Sequence, residues 1–325
     1  MKQVTFGTSS FKVSKIGLGM AALGRPGYIN IGHEADLPNT TEAQMREHAH
    51  QILQEAVDLG ITYFDAAQSY GKAEQFLEAW LHKSEESQHL MVGSKWGYYY
   101  TADWKVNAEV HEIKEHTIDR LNQQWPESKQ RLDPNLKLYQ IHSATFESGV
   151  LENRLVLEKL EKIRQEEYVI GLSLSGPNQA DVLQAAMKIK INDRPLFGAV
   201  QATFNLLEQS VKPALKQAYD QGLGVIVKEG LANGRLTSRN NEPFIKVLES
   251  IANKHQVTAD AIALAYILEE KFVTTVLSGA ATKAHLLANV AADKVALDMA
   301  DLMILENMKS DSKKYWTQRS RLDWN

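Results

Sequence analysis

Short apolar runs alternate with longer amphipathic stretches along almost the whole chain. The apolar runs have the length of single strands and carry few charges, which is typical of strands that are buried on both faces. The amphipathic stretches carry apolar residues at helical spacing. The predicted core strands cover residues 15–19, 61–64, 90–93, 136–141, 169–172, 198–202, 223–227 and 274–277. The predicted helices cover residues 45–59, 73–82, 108–121, 153–166, 178–189, 211–221, 244–255, 259–269 and 283–292.

Eight strand–helix units in this order predict an α/β protein with a closed parallel (β/α)8 TIM barrel. An open, doubly wound sheet is the alternative architecture. The opening segment QVTFGTSSFKVS predicts an N-terminal β-hairpin, because two β-rich runs flank the turn residues Gly7 to Ser10. We expect the C-terminal tail, residues 310–325, to fold back over the barrel mouth. No long linker divides the chain, so residues 1–325 are predicted to form a single domain.

Composition narrows the classes of function. The 325 residues are 44% hydrophobic, enough for a large core, and include no cysteine, which excludes disulfides, thiolate nucleophiles and cysteine-ligated zinc. A net charge of −4 gives no electrostatic footprint for nucleic acid. There is no apolar run of membrane-spanning length, and the first residues lack the apolar core of a signal peptide, so a cytoplasmic protein without a membrane partner is expected. No histidine pair is spaced for a metal site.

Four chemically active side chains follow three of the predicted strands. Asp65 and Tyr70 lie in FDAAQSYGKAE, Lys95 lies in VGSKWG, and His142 lies in LYQIHSA. Barrels of this type build their active sites at the carboxyl ends of the strands. A tyrosine can donate a proton near neutral pH when a cation stabilises its phenolate, and a carboxylate can hold that cation in place. Each residue alone has an ordinary structural explanation, but the combination favours a catalytic site.

The chain resembles the aldo-keto reductase superfamily over nearly its whole length. FDAAQSYG, GSKWG and IHS are similar to the motifs that follow the second, third and fourth strands of that family. The resemblance implies an NAD(P)H-dependent oxidoreductase that transfers hydride between nicotinamide and an aldehyde, ketone or sugar carbonyl. Tyr70 would be the general acid and base, Lys95 would favour its phenolate, Asp65 would hold Lys95, and His142 would orient the substrate oxygen.

The resemblance also implies a nicotinamide site. Gly19, Met20 and Ala21, in GLGMAALG, would pass beside the ring. Ser173 and Gln201 would contact the carboxamide, although Leu174 stands where the family usually has Asn. Lys228 stands where the family usually has an aromatic residue that stacks on the ring, and we expect Phe204 to supply aromatic packing instead.

The resemblance places the rest of the cofactor on two further segments. In VKEGLANGRLT, the residues expected to approach the pyrophosphate are Leu231, Asn233, Gly234 and Arg235; the alternative is an ordinary glycine-rich turn. In SGAATKAHLLANV, the residues expected at the adenosine end are Gly279, Thr282, His285 and Asn289. Family members that prefer NADP usually have Lys or Arg where Gly279 and His285 stand here. NADP(H) is therefore the cofactor by family default, and NAD(H) is the alternative.

Two other classes of function compete with a reductase. A regulatory barrel that binds cofactor with little turnover is consistent with Leu174 and Lys228, although the four intact catalytic residues argue against it. A lyase or isomerase could use Lys95 as a Schiff-base amine, but Asp65 would keep that amine protonated. The sequence has no uninterrupted heptad repeat of apolar residues, so it does not predict an oligomeric state. The predicted partner is a small-molecule carbonyl or sugar substrate.

Overall fold

Fourteen strands and eleven α-helices lie along residues 1–37 and 39–325, the part of the chain that this computed structural model describes. The strands are β1 (Gln3–Thr5), β2 (Lys12–Ser14), β3 (Ile16–Gly19), β4 (Tyr63–Asp65), β5 (Met91–Trp96), β6 (Tyr98–Tyr100), β7 (Glu112–Lys114), β8 (Leu136–Ala144), β9 (Val169–Leu174), β10 (Lys190–Ile191), β11 (Arg194–Pro195), β12 (Ala199–Thr203), β13 (Gly224–Lys228) and β14 (Thr275–Ser278).

The helices alternate with these strands over most of the chain. They are α1 (Glu42–Asp58), α2 (Ala73–Leu81), α3 (Ile118–Leu132), α4 (Arg154–Gln165), α5 (Gln179–Ala186), α6 (Lys212–Asp220), α7 (Phe244–His255), α8 (Ala259–Glu269), α9 (Lys283–Ala291), α10 (Met299–Glu306) and α11 (Ser312–Arg319). None of the helices in the described ranges combines the length and apolar character that crossing a bilayer requires. The expected cytoplasmic location stays a prediction.

Eight parallel strands close into a barrel, as the sequence predicts. Their order around the barrel is β3, β4, β5, β8, β9, β12, β13 and β14, and β14 pairs with β3 to complete the ring. The open doubly wound sheet is therefore wrong, because such a sheet would leave two unpaired edges. The strands read as apolar runs because their outer faces are covered by helices and their inner faces fill the barrel.

The N-terminal hairpin closes the amino end of the barrel. β1 and β2 pair antiparallel, and the turn between them carries Gly7 at a φ of +55°. A Cβ at Gly7 would lie 2.6 Å from the backbone nitrogen of Gly224, at the start of β13, so a side chain does not fit there. Phe6 packs inside with Tyr63 and other apolar residues at the starts of the barrel strands. The carboxyl ends of the strands carry the candidate site.

One predicted helix is wrong. Residues 108–121 were expected to be helical, but β7 lies in this range and pairs with β6 to form an antiparallel hairpin. The tyrosines of β6 favour strand, and α3 starts only after Thr117, whose side chain accepts a hydrogen bond from the backbone N–H of Arg120 at 3.1 Å. The helix then continues through Pro126 to Leu132. The β10–β11 turn, α10 and α11 were not predicted.

The tail returns to the carboxyl ends of the barrel strands, as expected. Arg319, at the end of α11, donates hydrogen bonds to Glu229, the residue that follows β13. Asn325 and Tyr28 exchange backbone hydrogen bonds at 2.9 and 3.2 Å. The last residues therefore lie against the loop that follows β3.

Candidate active site

Asp65 is the centre of the charge arrangement in the barrel mouth. Its carboxylate forms an ion pair with Lys95, which also donates to the carbonyl oxygen of Ala66 at 3.0 Å. The other carboxylate oxygen accepts from Gln201 at 2.8 Å and from the Tyr63 hydroxyl at 3.1 Å. The side chains of Asp65 and Lys95 are 2% and 0% exposed, so each charge depends on the other for compensation.

Tyr70 and His142 lie directly beside this ion pair. The Lys95 ammonium is 4.9 Å from the centroid of the Tyr70 ring. The Tyr70 hydroxyl faces His142 Nε2 at 3.5 Å, and Ser69 Oγ lies 3.4 Å from His142 Nδ1. The structure therefore brings together the acid, phenol, ammonium and imidazole that the sequence singles out.

Burial determines the protonation of the phenol and the imidazole. Burial, followed by the negative charge of Asp65, raises the pKa of Tyr70 well above its usual value. Burial, followed by the charge of Lys95, lowers the pKa of His142 well below its usual value. Both groups are thus neutral near neutral pH. The expected lowering of the Tyr70 pKa is not seen, because burial and the charge of Asp65 outweigh the attraction of the nearby Lys95 ammonium.

Arg25 is a site residue that sequence reasoning missed. Its guanidinium is buried and donates to the Ser69 carbonyl at 3.0 Å and to Glu112 at 3.1 Å. The guanidinium carbon lies 5.3 Å from the Tyr70 ring and 4.6 Å from the Trp324 ring. Arg25 lies in a polar loop with no strand or helix periodicity. It is held near Tyr70 by residues that are distant in the sequence, such as Glu112 and Trp324, so the local sequence pattern does not reveal it.

The residues expected beside the nicotinamide gather at the same end of the barrel. Gly19 ends β3, and Met20 and Ala21 follow it, with the Met20 N–H donating to the Asp65 carbonyl at 2.8 Å. Ser173 Oγ accepts from the backbone N–H of Ser143 at 2.8 Å. Gln201 is committed to the Asp65 carboxylate, which the sequence does not reveal.

Lys228 and Phe204 differ from each other in their placement. Lys228 lies at the carboxyl end of β13 and donates to Thr203 Oγ1 at 2.9 Å and to Ser175 Oγ at 3.2 Å, within the mouth. Phe204 is fully buried, and its ring packs 5.8 Å from that of Phe272 and 6.4 Å from that of Tyr266 in α8. The expectation that Phe204 replaces the missing aromatic residue at the ring is therefore wrong, because it packs in the helix layer.

The loop after β13 contains polar atoms that suit a phosphate group. Arg235 is 8% exposed and stacks on Tyr315 at 4.2 Å, and within residues 1–37 and 39–325 its buried Nη2 has no hydrogen-bond acceptor. Asn233 and Gly234 have φ angles of +58° and +82°, and Leu231 is half-buried beside them. An unpaired guanidinium N–H in a loop of left-handed residues fits an anionic oxygen. These observations favour the phosphate-binding interpretation over an ordinary turn.

The loops after β3 and β13 are joined to each other. The Ile31 N–H donates to the Asn233 carbonyl at 3.1 Å, and the Asn233 side-chain amide donates to the Ile29 carbonyl at 2.9 Å. Arg239 forms an ion pair with Asp36 and donates to the Gly32 carbonyl at 2.9 Å. Sequence reasoning missed Arg239 and Asp36 because they are far apart in the chain.

The residues expected at the adenosine end lie after β14. Gly279 has open space on its Cβ side, and Thr282 caps α9 by accepting from the His285 N–H at 3.2 Å. When the Asn289 side-chain amide is oriented so that both its oxygen and its nitrogen have partners, the oxygen accepts a hydrogen bond from Ser278 Oγ at 2.8 Å. His285 Nε2 is 3.1 Å from Arg239, so this ring belongs to the Arg239–Asp36 cluster rather than facing solvent alone.

The family model described as the aldo/keto reductase family matches residues 15–309, which include every residue of this site except those of the tail. The chain belongs to the aldo/keto reductase family. This aldo/keto reductase is an NAD(P)-dependent oxidoreductase.

Known relatives match this aldo/keto reductase over nearly its full length. It is 23% identical over 321 residues to the uncharacterized oxidoreductase YqkF of Bacillus subtilis, with 90% of this chain and 91% of the relative covered. It is 24% identical over 341 residues to the NADH-specific methylglyoxal reductase of Escherichia coli, with 95% and 98% covered. The holo form of aldo-keto reductase AKR11C1 from Bacillus halodurans shares the fold, with a TM-score of 0.72, 22% identity, and 95% and 97% of the two chains covered.

Proposed function

We propose that this enzyme reduces an aldehyde, ketone or sugar carbonyl, with Tyr70 as the proton donor. The observation that carries the proposal is the Tyr70 hydroxyl, 3.5 Å from His142 Nε2 and beside the buried Lys95–Asp65 pair. A carbonyl oxygen placed between the phenol and the imidazole can accept a hydrogen bond from each. The raised pKa of Tyr70 keeps its proton in place until the carbonyl oxygen gains negative charge.

Each of the four residues has a separate task in this proposal. The nicotinamide supplies the hydride to the carbonyl carbon. Tyr70 donates its proton to the oxygen, and the phenolate that results is stabilised by the charge of Lys95, 4.9 Å from the ring centroid. Asp65 keeps Lys95 in that position. His142, neutral through burial, orients the oxygen by a hydrogen bond.

Three groups of residues are proposed to hold the cofactor. The nicotinamide end would contact Gly19, Met20, Ala21, Ser173, Gln201 and Lys228. The phosphates would lie at Leu231, Asn233, Gly234 and Arg235, where the unpaired guanidinium nitrogen supports a phosphate contact. The adenosine would lie near Gly279, Thr282, His285 and Asn289.

The choice between NADP(H) and NAD(H) depends on Asp36. NADP(H) is the family default, and Arg239 with His285 could attract a 2′-phosphate. Asp36, however, already pairs with Arg239 and lies 3.7 Å from His285, so a carboxylate faces the same space. This carboxylate supports NAD(H) as the second candidate, since it repels phosphate and can accept from a ribose hydroxyl. The name of the NADH-specific relative points in the same direction.

Reduced-nicotinamide absorbance tests the reaction. Wild-type protein is mixed with NADPH or NADH and a panel of aldehydes, ketones and aldoses. Turnover is expected with at least one compound and falls about 10²–10⁴-fold in Tyr70→Phe, because that variant lacks the proton donor. Tyr219→Phe, at an exposed position on α6, is the matched control and keeps wild-type turnover. Cofactor binding with no turnover on any compound would favour the regulatory barrel instead.

A further inference from the structure

Lys228 places a partly buried ammonium group in the barrel mouth. Its side chain is 16% exposed, and its hydrogen bonds go to two neutral hydroxyls, those of Thr203 and Ser175. A lysine ammonium has three N–H donors. Neither hydroxyl carries a charge that would cancel that of Lys228.

The nearest carboxylate to Lys228 is already engaged. Glu229 Oε1 is 3.8 Å from the Lys228 ammonium, but the same oxygen accepts from two nitrogens of Arg319, at 2.7 and 3.2 Å. Burial opposes ionisation of Glu229, yet Arg319 and Lys228 hold its pKa at about 2. Two cations therefore share one carboxylate, and a surplus positive charge stays at the end of β13.

The position of Lys228 relates this charge to the reaction. Ser175 Oγ, which accepts from Lys228, is 3.3 Å from Ser143 Oγ, and Ser143 directly follows His142. Along the chain, Lys228 begins the segment that leads to Arg235 and its unpaired nitrogen. Lys228 therefore lies at the end of the barrel where a nicotinamide ring would meet a carbonyl at Tyr70 and His142 if its phosphates lay at Arg235.

We infer that Lys228 sets the relative affinity of this enzyme for the two redox forms of its cofactor and favours the reduced form. The inference rests on the proposed function. The oxidised nicotinamide ring carries a positive charge, whereas the reduced ring is neutral, so the ammonium repels only the oxidised form. In the reaction, hydride leaves the reduced ring for the carbonyl carbon, Tyr70 gives its proton to the oxygen, and the products are an alcohol and the oxidised cofactor. Lys228 thus favours binding of the reduced cofactor before the reaction and release of the oxidised cofactor after it, while the overall equilibrium of the reaction is unchanged.

Titrations of the four cofactor forms test the inference without reference to turnover. Dissociation constants for NADPH, NADP⁺, NADH and NAD⁺ are measured by tryptophan quenching, and the ratio of oxidised to reduced constants is compared among variants. Lys228→Met is expected to lower that ratio about tenfold, because the repulsion is lost. Lys228→Arg keeps the charge and the ratio. Lys216→Met, which removes an exposed lysine paired with Asp220 on α6, is the surface control.

The pH dependence of the wild-type ratio is a second test and needs no variant. Burial lowers the pKa of Lys228, so its charge is lost as pH rises, and the oxidised form gains affinity. The charged and titratable groups facing Lys228 are Glu229, Arg319, Lys95, Asp65 and His142. As pH rises, the ratio of the oxidised to the reduced dissociation constant should fall in wild type, because Lys228 loses its charge. The ratio should stay constant in Lys228→Met.

The outcomes separate this inference from the proposed function. If the ratio of oxidised to reduced dissociation constants is unchanged in Lys228→Met, or falls equally in Lys228→Arg, the role of Lys228 is overturned. The proposed function is not affected by either outcome. Should Lys228→Met fail to fold, a wild-type ratio that stays constant with rising pH overturns that role too. Failure of wild-type protein to bind any of the four cofactor forms would instead overturn the proposed function.

Discussion

Gln201 donates a hydrogen bond of 2.8 Å to the Asp65 carboxylate from the other side of the barrel. Asp65 ends β4 and Gln201 is the third residue of β12, and these two strands are not neighbours in the ring. Family resemblance assigns Gln201 to the cofactor carboxamide, and in the structure its amide nitrogen also donates to the buried ion pair. Gln201 therefore contributes to the position of Asp65, and through it to that of Lys95.

Replacement of Gln201 by Met should destabilise the protein by about 1.5–3 kcal/mol, because a buried carboxylate loses a hydrogen-bond donor. Urea unfolding, followed by circular dichroism, measures the loss. Gln217→Met, at an exposed position on α6, is the control and should change stability by less than about 0.5 kcal/mol. Equal stability of the two variants would show that Asp65 does not depend on Gln201.

Replacement of Lys95 by Met should cost about 3–5 kcal/mol of unfolding free energy, because it leaves the Asp65 carboxylate buried without its cation. The double variant Lys95→Met with Asp65→Asn should recover much of that stability, since no buried charge remains. Neither variant should recover turnover, because the phenolate of Tyr70 lacks its cation in both. A double variant as unstable as the single one would contradict the charge argument.

Replacement of Trp324 by Ala should raise KM for the carbonyl substrate several-fold and change the dissociation constant of the cofactor little. The Trp324 ring stacks on His111 at 3.8 Å and lies 4.6 Å from the Arg25 guanidinium, which itself lies over Tyr70. Loss of a cation–π contact of about 0.5–2 kcal/mol frees Arg25 at the entrance. Steady-state kinetics provide the measurement, and Leu322→Ala, in the same tail, is the control. An unchanged KM would place the substrate away from the tail.

Stability should fall as pH falls from about 6.5 towards 4, and His33 should account for part of the loss. Burial lowers the pKa of His33 to about 4, so the unfolded chain binds a proton in this window and the folded chain does not. The linked loss is about 2 kcal/mol between about pH 7 and about pH 5. Urea midpoints at the two pH values should differ less in His33→Gln than in wild type, whereas exposed His82→Gln should match wild type.

Elements with a strong local pattern were predictable from the sequence, and long-range contacts were not. The bounds of α7 follow from its amphipathic spacing and those of α8 from its apolar composition, and Asp65, Lys95 and His142 are found because each lies at or near the carboxyl end of a buried strand. The β6–β7 hairpin was missed because its tyrosines and charges lack the alternation of a half-buried strand. Arg25 and Arg239 were missed because their partners, Trp324 and Asp36, lie about 300 and 200 residues away, beyond the reach of any local pattern.

The hairpin at the amino end also governs how the site exchanges protons with water. Phe6 and its neighbours plug that end, and the turn at Gly7 lies against the start of β13 too closely to admit a side chain. Among the described residues 1–37 and 39–325, the amino end of the barrel is thus closed to bulk water, and the half-buried Tyr70 lies at the carboxyl end, the side on which a carbonyl compound would arrive. If Tyr70 is the donor, water reprotonates its phenolate through the same opening by which the alcohol leaves. Reprotonation of Tyr70 is therefore coupled to release of the product.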